Sequence, residues 1–140
     1  MFVPGRNEAW DDHPAMSAVA IMSRAFIQKK AGPKMAASSL LLADLPEWKT
    51  HRMDFYYWYY ASLALFQLDG PNGAHWRRWN APMVAALVPH QRTGKDGCAN
   101  GSWDIDEDRW AFEGGRVYAT AINALTLEVY YRYPSVFGRK

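Results

Sequence analysis

The chain has one cysteine, Cys98, in 140 residues, which excludes an internal disulfide framework and a cysteine-rich zinc module. Excess charge is also scarce. Sixteen Lys and Arg face 14 Asp and Glu, a formal net charge of +2, too slight a surplus to suggest nucleic acid as the main partner. Long apolar runs are lacking as well. The longest nearly uncharged stretch, residues 55–68, holds four tyrosines and is too short to span a bilayer, so an integral membrane protein is not expected. The N-terminal residues lack the basic start and apolar run of a signal peptide. On the sequence given, a cytoplasmic location is the expectation.

Aromatic residues are abundant. Seven Trp, eight Tyr and six Phe make up 15% of the chain, within an apolar total of 49%. That balance supports a packed core, and the length fits one domain.

Five helical segments separate along the chain. The first is expected over about 15–30, apolar on most sides and therefore largely buried. A second, over 33–45, carries Leu41, Leu42 and Leu45 on a narrower stripe and reads as an outer helix. The third, 54–68, is apolar or aromatic nearly all round and opens at Asp54. The fourth, 74–90, is amphipathic: Trp76, Trp79, Met83, Ala86 and Leu87 share a face, and Arg77 and Arg78 lie off it. Pro82 and Pro89 are expected to bend or fray it. A polar, glycine-rich loop over 92–115 precedes a fifth helix over 117–133, again mostly buried in character. The order is buried, outer, buried, outer, loop, buried. The segments around Ser17, Ser62 and Thr120 begin alike, and two helices per repeat predict an all-α fold of helical hairpins. Period-2 alternation is absent, so strands are not expected.

Two further patterns carry a family resemblance. Gln91 followed by Gly101-Ser102-Trp103 resembles the Q…G-x-W repeat of squalene–hopene and oxidosqualene cyclases, with a longer spacing. The run from Phe55 to Gln67, and Gly114-Gly115-Arg116-Val117-Tyr118-Ala119-Thr120-Ala121, are similar to bacterial prenyltransferase and squalene oxidase repeat proteins. The resemblance covers about 14–133 and implies part of the (α/α)6 toroid of the terpenoid cyclase and protein prenyltransferase superfamily. About six hairpins make such a toroid and this chain supplies two and a half, so the expectation is the C-terminal part of a longer protein, with apolar edges through which chains associate.

The acidic run 104–108 holds the weak candidates for a catalytic acid, Asp104, Asp106 and Glu107. Class II terpene cyclases protonate an alkene with a D-x-D-D motif, in which neighbouring carboxylates raise one pKa. Here Glu107 replaces the fourth Asp and the run reads as a solvated turn, whose carboxyls keep ordinary pKa values. Protein prenyltransferases hold zinc with a D-x-C step and a distant His. Asp96-Gly97-Cys98 offers the step, but Tyr57 stands where the resemblance would put the His, so no metal or other cofactor is expected. Gly97-Cys98-Ala99-Asn100 lacks the Gln of a thioester turn. His13, His51, His75 and His90 lie at or near helix ends, with no i,i+4 pair, and favourable contact with helix termini accounts for them. No nucleophile-elbow serine supports a triad.

In cyclases, aromatic faces stabilise carbocations through cation–π attraction. The resemblance therefore implies an aromatic-lined apolar cavity, with Asp54, Tyr57, Trp58, Arg116 and Tyr118 at or near its rim. Asn123 and Glu128, polar on a buried helix, form a second candidate pair. Gln91, Gly101 and Trp103 are structural repeat residues that tie one hairpin to the next. The function expected is a non-catalytic binding or scaffolding module that takes a hydrophobic, isoprenoid-like ligand. The alternative is the C-terminal part of a squalene–hopene-cyclase-like isomerase whose acid motif lies outside this chain.

Overall fold

The computed structural model describes residues 14–28, 38–49, 53–94, 97–105 and 108–132. It is all-α: among the described residues the only extended pairing is an isolated parallel bridge between Met53 and Asp108. Among the described residues its main helices are α1 (Pro14–Gln28), α2 (Phe55–Asp69), α3 (Ala74–Leu87) and α4 (Ala111–Leu127), and a short α5 (Val129–Arg132) follows.

Helix α2 is the centre. Asp54 caps it, with Oδ1 accepting from the Tyr57 amide at 2.8 Å, which satisfies one of the orphan N–H groups of a first turn. Eleven of its fifteen residues are buried, which makes it a core helix rather than a surface one, and α1, α3, α4 and α5 all pack against it. Gly70 ends it at φ 71, ψ 176, a region open essentially to glycine alone.

The other helices each bury one face. In α3 the buried residues are Trp76, Trp79, Met83, Ala86 and Leu87, the face expected from their spacing. Trp79 is completely buried, and its indole N–H donates to the Ser62 hydroxyl of α2 at 2.8 Å. Burying a side chain of that size stabilises by roughly 1.5–3 kcal/mol before entropy is counted. Pro82 sits inside α3, and the helix runs on into a 3-10 turn, Val88–His90.

Four expectations need correction. The second expected helix stops short of 45: Ser38 is α-helical, a 3-10 turn over Ser39–Leu42 follows, and residues 33–37 lie outside the described residues. Leu41 and Leu42 are the side chains this turn buries. The loop expected over 92–115 is interrupted by a short helical turn from Ala111, which breaks at Gly115; beyond that break the helix runs on to Leu127, close to its expected start at 117. The Asp108 carboxylate explains the early start, because Oδ2 accepts from the Trp110 amide at 3.0 Å. The first and fifth helices are not buried all round: Met16, Phe26 and Ile27 on α1, and Phe112 and Val117 on α4, are exposed. Finally, the three aligned small polar residues do not share an environment, since Ser17 is exposed, Ser62 is buried and Thr120 is half-buried.

Candidate functional site

The N-termini of α2 and α4 meet at one place. The Arg109 amide donates to the Met53 carbonyl at 3.1 Å, and the Phe55 amide donates to Asp108 Oδ1 at 2.7 Å. Asp108 therefore caps both helices at once, with Asp54 beside it as the second cap. Both carboxyls are buried. Burial raises the Asp108 pKa, the amide donors of Phe55, Trp110 and Ala111 pull it down, and the Asp54 charge pushes it up. The net direction is upward. Burial, with the charges of Asp108 and Asp54 behind it, also raises the Tyr118 phenol, whose hydroxyl is buried without a hydrogen-bond partner. The structure thus brings together Asp54 and Tyr118 of the expected rim, with Asp108 as a member that sequence reasoning left in a solvated turn.

The rest of the expected rim is dispersed. Tyr57 is buried, and its hydroxyl donates to the Leu41 carbonyl at 2.7 Å, fastening the 3-10 turn to α2. Burial is the main reason its pKa is raised, with Asp44 and Asp54 adding to it. Trp58 is buried edge-on against Phe55, with ring centroids 5.4 Å apart. Arg116 belongs to a different network. Its guanidinium lies 2.7 Å from Asp104 Oδ1 and donates to the Ser102 hydroxyl at 3.0 Å, and Arg92 holds Asp104 Oδ2 at 2.7 Å from the other side. Burial alone would raise the Asp104 pKa, but the hydrogen bonds and charges of the two arginines outweigh it and hold the carboxyl low. A carboxyl so held is a poor proton donor, so Asp104 is corrected from candidate acid to ion-pair partner. Asp106 and Glu107 lie outside the described residues.

Asn123 and Glu128 do not pair: Asn123 is fully buried, with neither amide atom hydrogen-bonded, whereas Glu128 is exposed at the end of α4. Five residues along a helix turn side chains well apart. Gln91 and Trp103 fasten the loop. Gln91 Nε2 donates to the Gly101 carbonyl at 2.8 Å, and the buried Trp103 indole donates to the Leu87 carbonyl at 2.8 Å, so the loop closes over the C-terminal end of α3. His90 meets that same helix end, its Nδ1 2.9 Å from the Ala86 carbonyl, with Trp48 stacked on its ring at 4.4 Å.

A cleft of about 410 Å³ opens elsewhere, between the 3-10 turn and the start of α3. Ser39, Leu42 and Ala43 line one wall, and Ala74, His75 and Arg78 line the other. The loop 70–73 brings α3 back against the end of α2. Gly73 offers no capping side chain, and Asp69 takes over that role, with Oδ2 accepting from the Trp76 amide at 2.9 Å. Room for this exists only because residue 73 has no side chain, since a Cβ there would sit 1.9 Å from the Asp69 carboxyl carbon. Asp69 Oδ1 lies 3.8 Å from His75 Nδ1. Sequence reasoning named His75 only as a helix-end histidine and did not join it to Ser39 and Arg78. The spacing of 74, 75 and 78 on one helical face was the available signal.

Among the described residues no group of three or more His, Cys, Asp or Glu is placed to hold a metal ion, and Cys98 is exposed and free. No described helix is long and apolar enough to cross a membrane. No family model matches the chain, and neither a curated protein nor a solved structure does.

Proposed function

We propose that this chain is a binding or scaffolding module of the helical-repeat kind that its sequence resembles, without catalysis of its own. The observation that carries the reading is the unpartnered face of α1. Over 14–28 the helix has one charged residue, Arg24, yet only the stripe Ala15, Ala18, Ile21 and Ala25 is buried, while Met16 and Ile27 are 59% and 80% exposed. A single charge in fifteen residues is the composition of a helix covered on more than one side, and exposed apolar patches of this kind mark interaction surfaces. Val117, 82% exposed on α4, extends the pattern to a second helix.

In this reading the apolar faces are covered by further helices, supplied by a second copy when the chain stands alone. An isoprenoid-like ligand would meet the aromatic side chains that stay partly accessible, Tyr56, Tyr59 and Tyr60, whose rings lie 4.7–5.0 Å apart. The test is the solution mass of the purified chain by light scattering, with far-ultraviolet circular dichroism on the same sample. A helical, discrete dimer or trimer is expected. A helical monomer that stays monodisperse as concentration rises would overturn the reading.

A further inference from the structure

We infer that the cleft between the 3-10 turn and α3 is a binding site for a small phosphate monoester, an anionic headgroup on a compact apolar body. The lining is divided in a way that suits such a molecule. Ser39, His75 and Arg78 bring a hydroxyl, an imidazole and a guanidinium, while Leu42, Ala43 and Ala74 bring only apolar surface. Among the described residues no carboxylate lines the cleft, and Arg78 has no carboxylate partner. The nearest acid, Asp69, is already committed. One oxygen accepts from the Trp76 amide and the other faces His75 Nδ1 at 3.8 Å, where that nitrogen is buried without a hydrogen bond. Asp69 thus flanks one side of the imidazole ring, and repulsion of an incoming anion is offset by the Arg78 charge.

Phosphate fits this donor set better than carboxylate. Its three terminal oxygens can accept from three separate side chains on two walls, and a guanidinium recognises two of them in parallel. The size argues for more than the headgroup. At about 410 Å³ the cleft falls within the roughly 300–1,000 Å³ of small-molecule sites, which are mostly apolar with a few placed polar groups. Inorganic phosphate would leave Leu42, Ala43 and Ala74 uncovered.

The probe is phenyl phosphate, titrated into the full chain while the histidine ring signals are followed by NMR, with His75→Gln used to assign His75. Saturable movement of the His75 signal is expected, and Arg78→Gln should weaken binding by about tenfold or more, the loss of a charge-assisted pair. Arg77→Gln, which removes the same charge from an exposed position beside the cleft, should leave affinity unchanged, and benzyl alcohol should not saturate the signal. Circular dichroism of the arginine variants checks that both stay helical, and Ser39→Ala provides a second, milder loss on the opposite wall. The proposal is overturned if phenyl phosphate gives no saturable shift, or if both arginine variants weaken it equally, the mark of diffuse charge attraction. Binding of benzyl alcohol as tight as that of phenyl phosphate would overturn it too.

Discussion

Asp104 and Asp108 stand four residues apart in one acidic run, and the fold gives them opposite electrostatics. Asp104 is held low by Arg92 and Arg116 although burial works against it, and Asp108 is pushed up by burial although three amides work against that. Their linkage to stability has opposite signs. The contribution of Asp104 is present above the ordinary Asp value of about 3.9 and is lost as pH falls through its lowered folded value. That of Asp108 is present at low pH and is lost as pH rises through its raised value. Asp104→Asn should therefore flatten the decline of Tm on the acid side of pH 4, roughly the ordinary carboxyl value. Superimposable Tm-against-pH curves for the two proteins would show that the arginine pair contributes nothing. Asn123 makes a second case. An amide buried without partners costs roughly 1–3 kcal/mol, so Asn123→Leu, which keeps the branched outline without the polar atoms, should raise the denaturation midpoint. A lower midpoint would mean that the amide is satisfied by a group such as a buried water. Neither residue's state could be read from its neighbours in sequence. The run looked like a solvated turn because its acids are adjacent, and Asp108 is buried only because Met53 and Phe55, more than fifty positions away, close over it.

At the scale of elements, α2 and α3 were legible. A continuous apolar and aromatic run bounded by Asp54 and Gly70 admits one interpretation, and the tryptophan spacing of α3 points to one face. The main run of α4 was legible too, but the short helical turn before it was not, because Gly114-Gly115 resembles the end of a loop. In the structure a short helical turn starts at Ala111 and breaks at Gly115, at φ 63, ψ −165, a conformation restricted essentially to glycine, and the main run of helix follows that break. Gly114 is confined too: a Cβ there would lie 2.4 Å from that of Tyr118. Gly115→Ala should destabilise by roughly 1–3 kcal/mol, read as a lower midpoint in urea with an unchanged m value. A midpoint equal to the parent's would mean that the break relaxes into continuous helix at no cost. The end of the second segment was over-read for a different reason. Three leucines in a row imitate a helical stripe, but the turn they form buries only Leu41 and Leu42, and its anchor to α2 is the Tyr57 hydroxyl.

For the whole molecule, the apolar character of α1 and the exposure of its outer face are the two facts to reconcile. Ile27→Glu places a charge on that face without touching the buried stripe, so it should shift the solution mass toward monomer and leave helicity intact. An oligomer unaffected by this change would move the contact away from α1. Sequence by itself determined the all-α class, the central helix and the packed face of α3, because periodicity, capping residues and turn glycines act within a few positions of one another. Tertiary structure alone decided which of the apolar helices is enclosed, which carboxylates are buried or paired, and that Ser39, His75 and Arg78 share one cleft. Burial and charge pairing depend on what the chain brings close across long separations, and local pattern carries no record of those encounters.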